Sequence, residues 1–141
     1  MSESIFADAP GGPDNPLLSH LGIELIDVEA GRAIFEMEIG PQHLNRQGSL
    51  QGGVVATLLD AACGYAGLAV SDKESLGNAV TVMLTISYLD KACSGRVRAT
   101  GTVTRSGRSI YFSSGELTTP AGDLIATAQG SFKRSAGTGS A

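Results

Sequence analysis

The chain has 141 residues, the size of one ordinary domain, and is long enough to bury roughly two thirds of the surface its unfolded form exposes. Ten Lys and Arg stand against 14 Asp and Glu, a formal charge of -4, which supplies neither the basic footprint of a nucleic-acid binder nor an attraction to anionic membranes. Two cysteines, Cys63 and Cys93, make no disulfide framework and no CxxC spacing, so both are expected as reduced packing residues. With only two histidines, His20 and His43, a zinc site is not expected.

In chain order, residues 1–15 form a flexible segment rich in Pro, Gly, Asp and Ser. The N-terminus has no positive start and no continuous apolar core, so it does not read as a secretory signal, and a cytoplasmic location is the default expectation. A single domain follows over 16–133, with a flexible tail at 134–141. Asn15-Pro16 reads as an N-cap followed by a proline in the first helical position, opening a short helix through Leu17, Leu18 and Leu21 that stops at Gly22. Apolar runs at Ile23–Val28 and Ala33–Ile39, joined by Glu29-Ala30-Gly31-Arg32, predict a hairpin. Its second strand alternates Ala33, Phe35, Met37 and Ile39 against Ile34, Glu36 and Glu38.

A polar loop with Asn45, Gln47 and Gly48 leads into Gly53–Val70, an apolar run too long for one strand. It suits a helix of about five turns. Three glycines, an internal Asp60 and the lack of flanking Trp or clustered Lys and Arg favour a buried helix over a membrane span. Val54, Leu58, Ala62 and Tyr65 fall on one apolar stripe, and Gly53, Ala56, Thr57, Asp60, Gly64 and Gly67 on another made of small side chains. The carboxylate therefore lies where another backbone or a ligand can approach closely.

After a loop at Ser71–Asn78, alternation returns at Val80, Val82, Leu84, Ile86 and Tyr88, at Val97, Ala99, Gly101 and Val103, at Ile110 and Phe112, and at Leu124, Ala126, Ala128 and Phe132. Turns at Ser94-Gly95, Ser106-Gly107 and Pro120-Ala121-Gly122-Asp123 are short enough to require antiparallel neighbours. The sum is an α+β layout, with about five or six antiparallel strands able to wrap round one long helix.

Asn45, Gly48, Gln51-Gly52-Gly53 and Asp60, followed by the strand TVMLTISYL and then by RSGRS and GDLIATAQGSF, resemble the PaaI-type acyl-CoA thioesterases of the hotdog fold over roughly residues 17–133. The resemblance implies a sheet wrapped round a central helix, and a dimer joined edge to edge that often pairs again into a tetramer. It further implies active sites at the dimer interface and an acyl-CoA substrate, with coenzyme A entering as part of the substrate and no separate cofactor or metal. It gives the acid at Asp60 the role of nucleophile or general base. Asn45 would position water or the acid across the interface, and the N–H of Gly52 would face the thioester oxygen. Thr81 matches a position that helps to hold the attacking water. Arg105 and Arg108 lie in the segment that holds the nucleotide end of coenzyme A, and Gly53 and Gly64 line the substrate side of the helix. Where the commoner motif has His-Gly-Gly this chain has Gln51-Gly52-Gly53, and a Gln amide can donate a hydrogen bond but cannot deliver a proton.

The same assignments make chemical sense on their own. A thioester is already activated and leaves a stable thiolate, so hydrolysis needs a base or nucleophile and a place for charge on oxygen. Glycines at a helix start expose unpaired N–H groups at the positive end of the dipole, and a carboxylate on the second or third turn could face the same carbonyl. Plainer readings stand beside these. Asp60 could be an ordinary helix acid capped by Thr57 or paired with an Arg, Asn45 a turn residue, Gly52 and Gly53 a tight helix start, Gln51 a solvated side chain, and Arg105 and Arg108 solvated hairpin charges. Two further functions compete: a non-catalytic acyl-CoA binding protein, favoured by Gln51, and an enoyl-CoA hydratase, which would need a His paired with an acid. No G-x-S-x-G signature of serine hydrolysis occurs.

Overall fold

The computed structural model describes residues 15–69 and 77–135. The far end of the expected long helix at Val70 and most of the Ser71–Asn78 loop lie outside them, as do residues 1–14 and 136–141. A short helix α1 (Pro16–Leu21) begins where Asn15 accepts the Leu18 N–H on its side chain at 3.3 Å and ends at Gly22, whose φ of 77° suits glycine. Six strands follow, β1 (Ile23–Glu29), β2 (Arg32–Glu38), β3 (Ala79–Tyr88), β4 (Arg96–Ser106), β5 (Ile110–Thr118) and β6 (Leu124–Arg134), with a longer helix α2 (Gly52–Tyr65) between β2 and β3. The strand order is β1-β2-β4-β5-β6-β3 and every pairing is antiparallel, so β1 and β3 are the two free edges. One helix against one such sheet is the α+β layout that the alternation predicts and the hotdog arrangement that the resemblance implies.

The core lies between α2 and the inner face of the sheet, where Leu58, Leu59, Ala62 and Cys63 meet Phe35, Met37, Val97, Ala99, Tyr111, Leu117 and Phe132. The helix rests almost on the backbone of β4 and β5. A Cβ on Gly101 would collide with the Ala62 carbonyl oxygen, and one on Gly115 would come within 2.8 Å of the Cys63 Sγ. Those two glycines are therefore demanded by close approach rather than by backbone conformation. On the outer face the Glu36 carboxylate bonds Arg96 and Arg98, and the Arg96 hydrogen bond is the main reason its pKa is lowered.

Several expectations need correction. The helix ends at Tyr65 rather than continuing to Val70, because after Gly64 the chain turns: Gly67 N–H bonds the Gly64 carbonyl, Leu68 N–H bonds that of Tyr65, and Gly67 lies against the Tyr111 ring. Its buried residues are Val55, Leu58, Leu59, Ala61, Ala62 and Cys63, and Val54 and Tyr65 are only half-buried. On β3 the pairing with β6 slips between Thr81 and Met83, a bulge that exposes Val80, Val82 and Met83 and turns Thr81, Leu84 and Ile86 toward the helix. On β5 the inward set is Tyr111, Ser113, Gly115 and Leu117, and Ile110 and Phe112 face out. Cys63 is buried as expected, but Cys93 is an exposed free thiol. β6 runs to Arg134, one residue past the expected end of the domain.

Candidate active site

Asp60 stands on the third turn of α2, half-buried, on the side of the helix that faces β3. The β3 bulge delivers Thr81 to it, and the Thr81 hydroxyl donates to Asp60 Oδ1 at 2.8 Å. Thr57 does not cap this acid. Its hydroxyl turns back along the helix to the Gly53 carbonyl at 2.9 Å. Among the described residues no Lys or Arg pairs with Asp60 either, so Oδ2 and the remaining lone pairs of Oδ1 are free for a proton or an electrophile.

The carboxylate opens into a cleft of about 190 Å³ between α1 and α2. Its walls are Leu17 and Leu18 from α1, Ala61, Gly64, Tyr65 and Leu68 at and beyond the end of α2, and Ala79, Tyr111 and Phe132 from the sheet. The floor is braced. Tyr111 stacks on Phe132 with ring centroids 5.3 Å apart and donates its hydroxyl to the Gly64 carbonyl at 2.5 Å. The Arg134 guanidinium lies 4.5 Å from the Tyr111 ring centre and donates to the Gly67 carbonyl at 2.6 Å. Burial pushes the Tyr111 phenol up to about 12 against the opposing pull of Arg134. Burial also pushes the Cys63 thiol up to about 12, with the nearby Asp60 charge adding to it, so this sulfur stays a thiol.

The start of α2 carries the other predicted group. Gln51 is the N-cap, and its carbonyl accepts from Val54 and Val55, while the N–H groups of Gly52 and Gly53 have no partner among the described residues. The Gln51 side chain is exposed and makes no capping bond. Tyr88, near the end of β3, donates its hydroxyl to the Gly52 carbonyl at 2.8 Å and so ties this end of the helix to the edge strand. Asn45 is a turn residue in the plain sense: its Oδ1 accepts from Gln47 and Ser49, which leaves its amide N–H groups to point elsewhere.

The structure brings Asp60, Thr81 and Gly64 together, and it does not bring Asn45, Gln51, Gly52, Gly53, Arg105 or Arg108 into the same cleft. A helix rises about 1.5 Å per residue, so Gly52 and Asp60 are roughly 12 Å apart along α2 and cannot flank one carbonyl within a single chain. Arg105 and Arg108 are exposed, and Arg105 lines a separate groove on the outer face of the sheet with Met83, Phe112 and Gln129. Sequence reasoning missed Tyr88, Tyr111, Arg134 and His43, which support the site from outside the motif. Among the described residues no group of three or more His, Cys, Asp or Glu gathers to hold a metal, and no helix is long and apolar enough to cross a membrane.

A sheet wrapped round a helix that carries an internal carboxylate is the arrangement that the resemblance to hotdog-fold proteins implies. Residues 47–126 match the model of the Thioesterase superfamily. Human acyl-coenzyme A thioesterase 13 is 35% identical over 106 residues, covering 74% of this chain and 74% of that protein. Among solved structures, zebrafish Thioesterase Superfamily Member 2 superposes with a TM-score of 0.72 at 32% identity, covering 92% of this chain and 90% of that one. The PaaI protein of the E. coli phenylacetic acid degradation operon does so with a TM-score of 0.79 at 26% identity, covering 89% and 88%. The chain belongs to the thioesterase superfamily of hotdog-fold proteins.

Proposed function

We propose that the protein hydrolyses an acyl-CoA thioester to a free carboxylic acid and coenzyme A, at sites that two copies of the chain build together. The observation that carries this reading is the spacing along α2. A base on the third turn and unpaired N–H groups at the first residue are both suited to a thioester, yet they are too far apart to serve one carbonyl unless Asp60 comes from one copy and Gly52 from another. The free edge β3 lies beside both groups, bonded to Asp60 through Thr81 and to Gly52 through Tyr88, so pairing along β3 would set two α2 helices near each other. Asn45, whose amide N–H groups have no partner among the described residues, would then reach across the interface. A further pairing into a tetramer has the apolar outer surface around Val80, Met83, Ile110 and Phe112 available to it.

In the reaction, Asp60 takes a proton from water while the oxygen of that water bonds the thioester carbon, and the carbonyl electrons move onto oxygen facing the Gly52 N–H. Collapse breaks the carbon–sulfur bond, and the coenzyme A thiolate takes its proton from water, since Gln51 can only donate a hydrogen bond. The alternative course, attack by Asp60 itself to form an anhydride that water then cleaves, uses the same groups. The acyl arm would occupy the cleft between α1 and α2. An apolar cavity of about 150 Å³ accepts a benzene ring, so about 190 Å³ suits one aromatic ring or a short to medium chain. Arg105 and Arg108, exposed and without partners among the described residues, would meet the nucleotide phosphates outside the cleft, and neither a metal nor a separate cofactor enters the scheme. A binding protein without turnover is the second reading, which Gln51 favours. The hydratase reading loses its acid–base candidate, because His43 is buried with both ring nitrogens already bonded.

Release of coenzyme A across aryl, short and medium acyl-CoA panels tests the proposal directly. Asp60→Asn is expected to lower turnover by about 10² to 10⁴ with the assembly intact. Equal rates for the native and variant proteins would contradict it, and binding without turnover by either would favour the second reading. Single-turnover hydrolysis in oxygen-18 water separates the two chemical courses, since label entering Asp60 requires the anhydride.

A further inference from the structure

His43 is buried, 1% exposed, and the scheme above gives it no chemistry. It sits in a single 3-10 turn (Pro41–His43), on the loop that leads from β2 to α2. Its Nε2 lies 2.7 Å from the Leu21 carbonyl, which can only accept, and its Nδ1 accepts the Gly40 N–H at 2.9 Å. Those two partners assign a neutral ring with its proton on Nε2. The His43 carbonyl accepts the Gln51 N–H at 2.9 Å. One residue thus joins the last turn of α1, the beginning of the loop and the N-cap of α2.

The joint matters because α1 has little else to hold it. Six residues are too few for a helix to persist on its own, Leu18 is the one side chain of α1 that is buried, Leu21 is half-buried and Leu17 is exposed. Yet α1 supplies Leu17 and Leu18, with Asn15 before it, as one wall of the cleft beside Asp60. We infer that His43 is a positioning residue for that wall, and that through its Nε2–H to Leu21 it sets how firmly the outer part of an acyl group is gripped. This rests on the acyl-CoA reading above. Only an acyl group long enough to reach α1 would feel the loss, and the reacting carbonyl at Asp60 would not.

Three variants test it: His43→Gln, whose amide N–H can reach toward Leu21; His43→Asn, which keeps an acceptor near Gly40 but falls short of Leu21; and His43→Leu, which keeps neither. For Asn and Leu, the KM for hexanoyl-CoA is expected to rise about fivefold to tenfold, the effect of one lost hydrogen bond, with kcat and all acetyl-CoA constants within about twofold. The Gln variant should stay near the native values. In parallel, hydrogen exchange of the Gly22 amide, which caps α1, should speed up about fivefold to tenfold in Asn and not in Gln. If Leu fails to fold, the Asn and Gln pair decides the matter alone. Equal damage to both substrates, or Gln behaving like Asn in exchange, would overturn the inference. If the native protein hydrolyses no acyl-CoA, the acyl-CoA reading fails by itself, and the exchange experiment still decides whether His43 tethers α1.

Discussion

The two free edges of the sheet are built in opposite ways. β1 is seven residues long, carries exposed Glu24, Asp27 and Glu29, and is interrupted by an irregularity between Leu25 and Asp27. β3 is ten residues long, has no charged residue, and exposes Val80, Val82, Met83 and Tyr88, with relative exposures between 49% and 59%. Each edge carries one register slip, so the contrast is of length and charge: short and charged is how an edge avoids pairing, and long, apolar and uncharged is how one invites it. The edges also differ in what lies behind them. Thr81 and Tyr88 bond β3 to α2, whereas the side-chain bond of β1 runs outward from Glu24 to Arg96. The edge fit for association is the one bonded to Asp60 and Gly52.

That contrast can be broken by charge. Glutamates at both Val82 and Thr85, near the middle of β3, should weaken self-association at least about a hundredfold and take turnover down with it, as read by sedimentation and by coenzyme A release. Ile26→Glu on β1 is the control and should leave both within about twofold. A loss of similar size at either edge would remove the distinction. Gly101→Ala, under α2 and between the edges, should act on the fold without choosing an edge, costing about 2 kcal/mol in urea unfolding as the helix is pushed off β4.

Thr81→Ala keeps the β3 edge and removes its bond to Asp60, so it should lower kcat about tenfold while leaving association unchanged, and Thr81→Ser should restore most of it. The smallest effect lies away from both edges. Tyr111 and Cys63 have folded-state pKa values raised to about 12, from ordinary values of 10 and 9. The unfolded chain therefore loses these protons first, and their contribution is fully present below about pH 9 and fades as pH rises toward 12. Melting temperature should fall over that range, and less steeply for Tyr111→Phe.

Much of the molecule was legible in its pattern, for reasons that particular residues make plain. Asn15-Pro16 and Gly22 bracket α1 because caps and left-handed turns have strong residue requirements. Ala33, Phe35 and Met37 on β2, and Val97, Ala99 and Gly101 on β4, face inward as alternation requires. Asp60 was legible because a carboxylate in an apolar run is costly without a purpose. The β3 bulge was not, since Val80 and Val82 continue the apolar pattern and a bulge has no residue signature there. Ile110, Tyr111 and Phe112 are apolar on both faces, so alternation could not say which one turned in. The end of α2 was hidden by apolar residues that continue past Tyr65. The separation of Gly52 from Asp60 follows from helix rise alone once the helix is accepted.

The central claim is that each site draws Asp60 from one copy and Gly52 from the other, and subunit mixing tests it most directly. Gly52 is the first residue of α2, the position where proline is best tolerated, and Gln51 before it already has the extended backbone that a following proline requires, with φ -64° and ψ 137°. Gly52→Pro therefore deletes the N–H with little other disturbance, and alone it should lower turnover about 10² to 10³. Equal amounts of Asp60→Asn and Gly52→Pro, unfolded and reassembled together, form about half mixed dimers, each with one intact site and one doubly damaged site, so about a quarter of native activity should return. Activity no greater than the sum of the two variants would mean that the groups act within one copy, and would contradict the account.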